Sequence, residues 1–275
     1  MNRELLSACS IGEAVSLKTS SSAFLAGGTE IFRKDSSISA CELIMLSKAE
    51  GIRGISRLDD HTVRAGSMTT FQEAAESDIL PDYFRKAAGY MASRTKRNMA
   101  TLGGNIALRR DDSYLFAVLI ASHARLDVDI WENGCLKKER ICIRRYLLNK
   151  EMYENALIEA VILRDDVKVV SMRFANTAES HSFLTAAIGC VDGHTRIGLC
   201  VKNSGVYFLK ELSSQADMAQ DPEGLFADFA KTWEGLDIAD DIYGTSAFKR
   251  FLLSVTLTDL FRDLRKSQGK EADLT

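Results

Sequence analysis

Two glycine pairs flanked by hydroxyl and amide side chains are the residues of this sequence best suited to hold a ligand. The first lies in Leu25-Ala26-Gly27-Gly28-Thr29-Glu30, followed by Ile31, and the second in Ala100-Thr101-Leu102-Gly103-Gly104-Asn105-Ile106-Ala107. Glycine lacks a Cβ and tolerates positive φ, so the backbone can approach a bound group closely. Unpaired N–H groups in such turns form nests that hold anions. The pattern therefore predicts two loops that together bind an extended phosphate ligand.

A structural interpretation of each loop stays open, because a Gly-Gly pair also occurs in ordinary tight turns. Neither loop matches the dinucleotide fingerprint G-x-G-x-x-G or the P-loop pattern. The basic residues Arg94, Lys96 and Arg97 precede the second loop, where they either attract an anionic cofactor or face solvent. Glu30 is either a polar residue near the ligand or a charge at the end of a strand.

Composition excludes several classes of protein. The chain has 275 residues, 46% of them hydrophobic and 27% charged, with a net charge of −3. Charges of both signs are interspersed, so there is no nucleic-acid-binding footprint. No apolar run approaches the ~20 residues of a membrane span, and the first residues do not resemble a secretory signal. We therefore expect a cytoplasmic protein that has no membrane span and does not bind nucleic acid.

Cysteines and histidines give no sign of a metal centre. None of the six cysteines forms a C-x-x-C pair, which favours reduced thiols and places any iron–sulfur cluster on another chain. The four histidines are isolated in sequence, and we expect each to be a surface or core residue; they are His61, His123, His181 and His194. The charged run from Leu108 to Asp112 is expected to be a solvated surface turn.

Short helices and strands must position the two loops. Ser10–Glu13 and Thr70–Glu73 read as capping boxes that open helices, and Ala23 to Ala26 reads as a strand that enters the first loop. Strands alternating with helices up to about residue 165 indicate α/β units. From Lys168 onward, the Asp192-Gly193 turn between two apolar runs predicts an antiparallel hairpin.

Taken together, these motifs resemble the FAD-binding medium subunit of the xanthine dehydrogenase and carbon monoxide dehydrogenase family of molybdenum hydroxylases. They fall in the family's order and spacing across nearly the whole chain. The matching pieces are Ala26–Thr29, Ala65–Thr70, Arg97–Ala107, Leu115–Ala124 and Ala247–Arg250.

The resemblance implies an α+β fold in three parts. Residues 1–57 and 58–165 would form two small α/β subdomains that clasp FAD, as in the vanillyl-alcohol-oxidase-like FAD fold. Residues 166–275 would form a C-terminal three-stranded antiparallel sheet with a helical bundle.

It also implies a binding site without catalytic or metal-ligating residues. The two glycine loops would hold the FAD pyrophosphate, Ser113 would meet the ribityl or phosphate region, and Ile158 and Arg173 would lie near the isoalloxazine. Two positions depart from the family pattern: Tyr114 replaces the usual aspartate, and Arg173 replaces a lysine. The cofactor-binding residues are then Leu25, Ala26, Gly27, Gly28, Thr29, Glu30, Ile31, Thr101, Gly103, Gly104, Asn105, Ser113, Ile158 and Arg173.

The implied activity is electron transfer within a heteromeric complex. A molybdopterin-binding large subunit would hold the molybdenum cofactor and oxidise the substrate. A small subunit with [2Fe–2S] clusters would pass electrons to FAD, with NAD or another acceptor at the end. Two alternatives remain: a structural or assembly subunit without FAD, and a stand-alone FAD reductase of the same fold.

Overall fold

The computed structural model describes residues 3–232, 235–267 and 269, which form two compact units. Unit 1 comprises residues 1–81, 93–109 and 124–163, and unit 2 comprises residues 82–92, 110–123 and 164–275. The strands are β1 (Glu4–Ser7), β2 (Ser22–Leu25), β3 (Glu42–Met45), β4 (Ile55–Arg57), β5 (Thr62–Gly66), β6 (Arg125–Glu132), β7 (Cys135–Cys142), β8 (Leu157–Arg164), β9 (Lys168–Phe174), β10 (Leu184–Val191), β11 (His194–Val201) and β12 (Gly205–Phe208). The helices are α1 (Ile11–Ser16), α2 (Phe71–Glu76), α3 (Asp82–Gly89), α4 (Arg94–Arg97), α5 (Leu102–Ala107), α6 (Phe116–Ala121), α7 (Ile143–Leu148), α8 (Lys210–Met218), α9 (Pro222–Thr232) and α10 (Ser246–Ser267).

Unit 1 contains two sheets that share a core. The first has the order β1-β3-β2 and is parallel, and the second has the order β4-β5-β8-β6-β7. Apolar residues from α1, β3 and β8 pack in one buried cluster, including Ile11, Ile44 and Leu157. The predicted capping box at Thr70 is present, since Thr70 and Glu73 exchange both bonds. At the other predicted box, Ser10 caps α1 by accepting from the Glu13 amide at 3.2 Å, but the Glu13 carboxylate accepts from the Cys9 amide at 2.7 Å instead of returning a bond to Ser10. The first loop follows β2 directly, as predicted.

The second sheet differs from the expected α/β unit because two of its strand pairs, β4–β5 and β6–β7, are joined by hairpins. β4 pairs with β5, and β6 pairs with both β7 and β8, all antiparallel. At the turn between β6 and β7, Asn133 and Gly134 have φ of 53° and 77°. Two successive positive φ values match the right-handed twist of the flanking strands, which favours a two-residue hairpin over a crossover helix.

Unit 2 is built on an antiparallel sheet of order β12-β11-β10-β9. The predicted hairpin is confirmed, with Asp192 and Gly193 at φ of 53° and 82° between β10 and β11. Apolar residues of β10 and β11, such as Ile188 and Ile197, form a large core with Leu257 of α10.

The α+β class is confirmed, with two adjustments. In the described residues the C-terminal sheet has four strands instead of three, because β9 pairs with β10 along its whole length. Residues 82–92 and 110–123 belong to unit 2, although the sequence grouped them with 58–165. The three-part division itself stays a prediction.

Candidate functional site

The first glycine loop leaves three consecutive amides without an acceptor. Across the described residues, the N–H groups of Gly27, Gly28 and Thr29 have no hydrogen-bond partner. Gly28 has a φ of 70°, and the turn is closed by the Phe32 amide, which donates to the Gly28 carbonyl at 3.1 Å. Most backbone amides in proteins are paired, so three adjacent unused donors in a turn constitute a nest suited to an anion.

The second glycine loop uses its amides internally. Thr101 caps α5, and the segment from Ser67 to Phe71 pairs with residues 100–103 through the Thr70–Thr101 bridge. The backbone of this loop is therefore held by its own hydrogen bonds. Contacts between this loop and a diphosphate stay a prediction. The acceptors are Thr69 O for the Leu102 amide (2.9 Å), Ser67 O for Gly103 (2.8 Å), Thr101 Oγ1 for Gly104 (3.2 Å) and Thr101 O for Asn105 (3.0 Å).

The two loops lie against each other within unit 1. A Cβ built on Gly27 would stand 1.8 Å from the carbonyl oxygen of Met99, and one built on Gly104 would stand 3.9 Å from the Ala26 Cβ. Gly103 is equally confined, because a Cβ there would stand 2.5 Å from the Ser67 Cβ. Glycine is thus required at residue 27, where the first loop meets the segment that enters the second, and at residue 103, where the second loop packs against Ser67.

Charged residues around the loops are paired with neighbours. Glu30 forms an ion pair with Arg33 at 3.2 Å, so its carboxylate does not stand alone beside the nest. Arg94 pairs with Glu76 at 2.9 Å, and the Arg97 Nε donates to the Gln72 side chain at 2.9 Å. These arginines hold α4 against α2, which favours a structural role for the basic residues over attraction of an anionic cofactor.

Two residues predicted to contact the cofactor are core residues of unit 1. Ile31 packs with Ala40 and Leu43 in a small apolar cluster. Ile158 of β8 is buried. Their assignment to the cofactor site remains a prediction based on the resemblance.

Ser113 and Arg173 belong to unit 2. Ser113 is buried, and its hydroxyl accepts from the Leu115 amide at 3.2 Å. Arg173 donates to four backbone carbonyls, one at Tyr90 and three in the segment after β9. Its guanidinium therefore acts as a clamp that ties that segment to Tyr90. Those carbonyls are Tyr90 (2.5 Å), Ser180 (2.9 Å), Ala178 (3.0 Å) and Thr177 (3.1 Å).

The expectation of a solvated surface turn at residues 108–112 was wrong at Asp112, whereas residues 108–111 are partly exposed. Asp112 is buried and accepts two bonds of 2.8 Å from Arg110. His181, expected to be isolated, places its Nδ1 3.5 Å from both Asp112 Oδ2 and the Tyr114 hydroxyl. Burial opposes ionisation of Asp112, but Arg110, His181 and Lys202 outweigh it and lower its pKa. Burial also raises the pKa of Tyr114 to about 12.

A buried carboxylate in the second sheet was not found from the sequence. Asp129 of β6 is fully buried, and neither of its carboxylate oxygens has a hydrogen-bond partner in the described chain. Lys138 lies 3.6 Å away and pairs with Glu159 at 3.0 Å, which Arg64 also contacts at 3.1 Å. Burial, followed by the charge of Glu159, raises the pKa of Asp129 to about 6. The aspartate sits in an ordinary alternating strand, so no local sequence signal marks it.

Neither a metal centre nor a membrane helix is found in the part of the chain that the structure describes. No group of three histidine, cysteine or acidic side chains there could hold a metal ion. No described helix is both long and apolar enough to cross a bilayer. All six cysteines are unpaired.

Comparisons with known proteins place the two loops in a family context. Residues 2–163 match the sequence model of a family described as the FAD binding domain in molybdopterin dehydrogenase. The uncharacterized protein YgfM of Escherichia coli (strain K12) is 28% identical over 215 residues, covering 78% of this chain and 77% of that protein.

Solved structures share the fold over almost the entire chain. A carbon monoxide dehydrogenase chain from Hydrogenophaga pseudoflava gives a TM-score of 0.84 at 20% identity, covering 97% of this chain and 98% of that chain. A chain of quinoline 2-oxidoreductase from Pseudomonas putida 86 gives a TM-score of 0.81 at 16% identity, covering 98% of both chains. At these identities the likeness establishes the fold.

Proposed function

The chain belongs to the family of FAD binding domains in molybdopterin dehydrogenases, and we propose that it is the FAD-binding electron-transfer subunit of a molybdenum-containing hydroxylase. The observation that carries the proposal is the nest of acceptor-free amides at Gly27, Gly28 and Thr29, held against the second glycine loop. A diphosphate needs concentrated hydrogen-bond donors, and three consecutive acceptor-free amides provide them without a basic side chain.

The residues of the two loops fit FAD in complementary ways. The first loop would donate amides to the pyrophosphate, while the second loop, fixed by hydrogen bonds to Ser67 and Thr69, would support the first loop. Bound FAD supplies the redox chemistry, since it accepts and releases electrons, and the protein contributes placement and electrostatics. The chain would therefore need no acid–base pair of its own.

The partners in this proposal are a molybdopterin-binding large subunit and a small subunit with [2Fe–2S] clusters, with NAD or another acceptor. The solved relatives are named as carbon monoxide dehydrogenase and quinoline 2-oxidoreductase. A xanthine dehydrogenase-like activity is supported by the sequence resemblance alone. Scattered, unpaired cysteines support a location in the cytoplasm.

We assign Ser113, Ile158 and Arg173 to the flavin region on the basis of that resemblance. Tyr114 provides a buried phenol where the family pattern has an aspartate. Its raised pKa keeps the hydroxyl protonated at neutral pH, so Tyr114 offers a neutral donor in place of a carboxylate.

Purification through a tag on this chain from its native host tests the proposal. We expect bound flavin, identified as FAD after denaturation, together with co-purifying molybdenum and iron–sulfur chains. Flavin without these partners would instead indicate a stand-alone reductase. Partners without flavin would indicate an assembly subunit, and either result would contradict the proposed function.

A further inference from the structure

An exposed aromatic ring adjoins the amide nest. One edge of the Phe32 ring lies over Gly28, since a Cβ built on Gly28 would stand 2.8 Å from Phe32 Cδ2 and 3.0 Å from Cε2. The ring is nevertheless 66% exposed. Phe32 therefore contributes little to the core and lies beside the unused donors.

The neighbouring loop places a second apolar side chain at the same contact. Met99, whose carbonyl touches Gly27, is 53% exposed. Single exposed apolar residues are common on protein surfaces and need no explanation. Here two of them flank the point where the glycine loops meet, and an apolar rim around a cluster of donors is typical of a small-molecule site.

We propose that Phe32 is the stacking platform for the adenine base of the bound dinucleotide, an inference that rests on the proposed function. A nucleotide joins a flat π-system to a phosphate through one ribose. The nest at Gly27 to Thr29 and the Phe32 ring offer the matching pair of surfaces on a single turn. Aromatic rings stack on bases of any kind through their faces.

This arrangement makes the first loop selective for FAD over FMN. FMN has a single phosphate and no adenine, so it would use the nest and leave Phe32 exposed to water. FAD and ADP would cover the ring and gain the stacking energy. Phe32 is then a specificity-determining residue, while the nest amides bind any phosphate.

Equilibrium titrations of the full apo chain with FAD, ADP and FMN test the assignment. We expect Phe32→Ala to weaken FAD and ADP binding by about tenfold or more, the usual cost of losing one base stack. FMN binding should stay within about twofold of wild type on the same scale. Phe32→Tyr retains the ring and should retain the affinity.

Phe251→Ala is the matched control, because Phe251 of α10 is also 66% exposed and lies in unit 2. It should bind all three ligands like the wild type. If Phe32→Ala binds FAD normally, or loses FMN and FAD by the same factor, the stacking assignment is overturned while the proposed function stands. If the wild type binds no FAD, the proposed function fails and this inference fails with it.

Discussion

The carbonyl oxygen of Met99 lies against the Cα of Gly27, so close that a Cβ on Gly27 would stand 1.8 Å away from it. The two residues are 72 positions apart in the chain. Their contact joins the turn that carries the unused amides to the segment that leads into the second glycine loop. The juxtaposition of the loops therefore depends on the absence of a single side chain.

Gly27→Ala should destabilise the protein, since the neighbouring atoms are backbone and cannot swing aside. We expect a loss of about 3 kcal/mol in the free energy of unfolding, at the upper end for overpacking. Urea denaturation measures it. Gly89→Ala is the control, because a Cβ at Gly89, the last residue of α3, meets no atom within 4 Å. A Gly27→Ala protein as stable as Gly89→Ala would contradict the loop contact.

Arg173→Lys should weaken unit 2. The guanidinium of Arg173 donates to backbone carbonyls from distant parts of the chain, including those of Tyr90 and Ser180. The ammonium group of lysine cannot reproduce that forked set of hydrogen bonds. We expect a loss of about 1–3 kcal/mol in the free energy of unfolding. Arg94→Lys, at an exposed ion pair, should change it by less than about 0.5 kcal/mol. Equal effects of the two substitutions would argue against the clamp.

Asp129→Asn should change how stability depends on pH. The native pKa of Asp129 is raised to about 6, so the folded protein binds this proton more tightly than the unfolded chain does. The contribution of the protonated Asp129 carboxyl to the free energy of unfolding is fully present below pH ~4, where the folded and unfolded states are both protonated. It is lost as pH rises through about 6, and above that pH the buried charge costs a constant amount.

Asp129→Asn removes this cost, so the variant should exceed the wild type by about 1–3 kcal/mol in unfolding free energy at pH 7 to 8. The advantage should shrink towards pH ~4. Urea denaturation at a series of pH values provides the comparison. Glu132→Gln, at the exposed end of the same strand, should show no such trend. A difference between Asp129→Asn and wild type that stays constant with pH would contradict the buried, titrating carboxylate.

Local chemistry explains what could be predicted from the sequence. The capping box at Thr70 and the turn at Asp192-Gly193 involve neighbouring residues, so their residue types determine their geometry. The loop after β2 was predicted in the same way, from two glycines and a threonine that make a poor strand.

Long-range pairing explains what could not be predicted. Nothing near Gly103 in the sequence shows that its amide donates to the Ser67 carbonyl. The lowered pKa of Asp112 depends in part on the charges of His181 and Lys202, which lie far along the chain. The place of the exposed Phe32 ring over Gly28 is likewise visible only in the structure.

Titration of FAD into the full apo chain and two glycine variants is the most direct test of the amide nest. Gly28→Ala and Gly134→Ala place a Cβ at similar φ, 70° and 77°, which costs about 1–2 kcal/mol of stability in each. In Gly28→Ala the new Cβ would also stand 2.8 Å from the Phe32 ring, whereas in Gly134→Ala it meets no atom within 4 Å. Only Gly28 belongs to the nest. We predict that wild type and Gly134→Ala bind FAD alike and that Gly28→Ala loses at least about tenfold in affinity. Equal FAD affinity in all three proteins would contradict the assignment of the first glycine loop to the diphosphate.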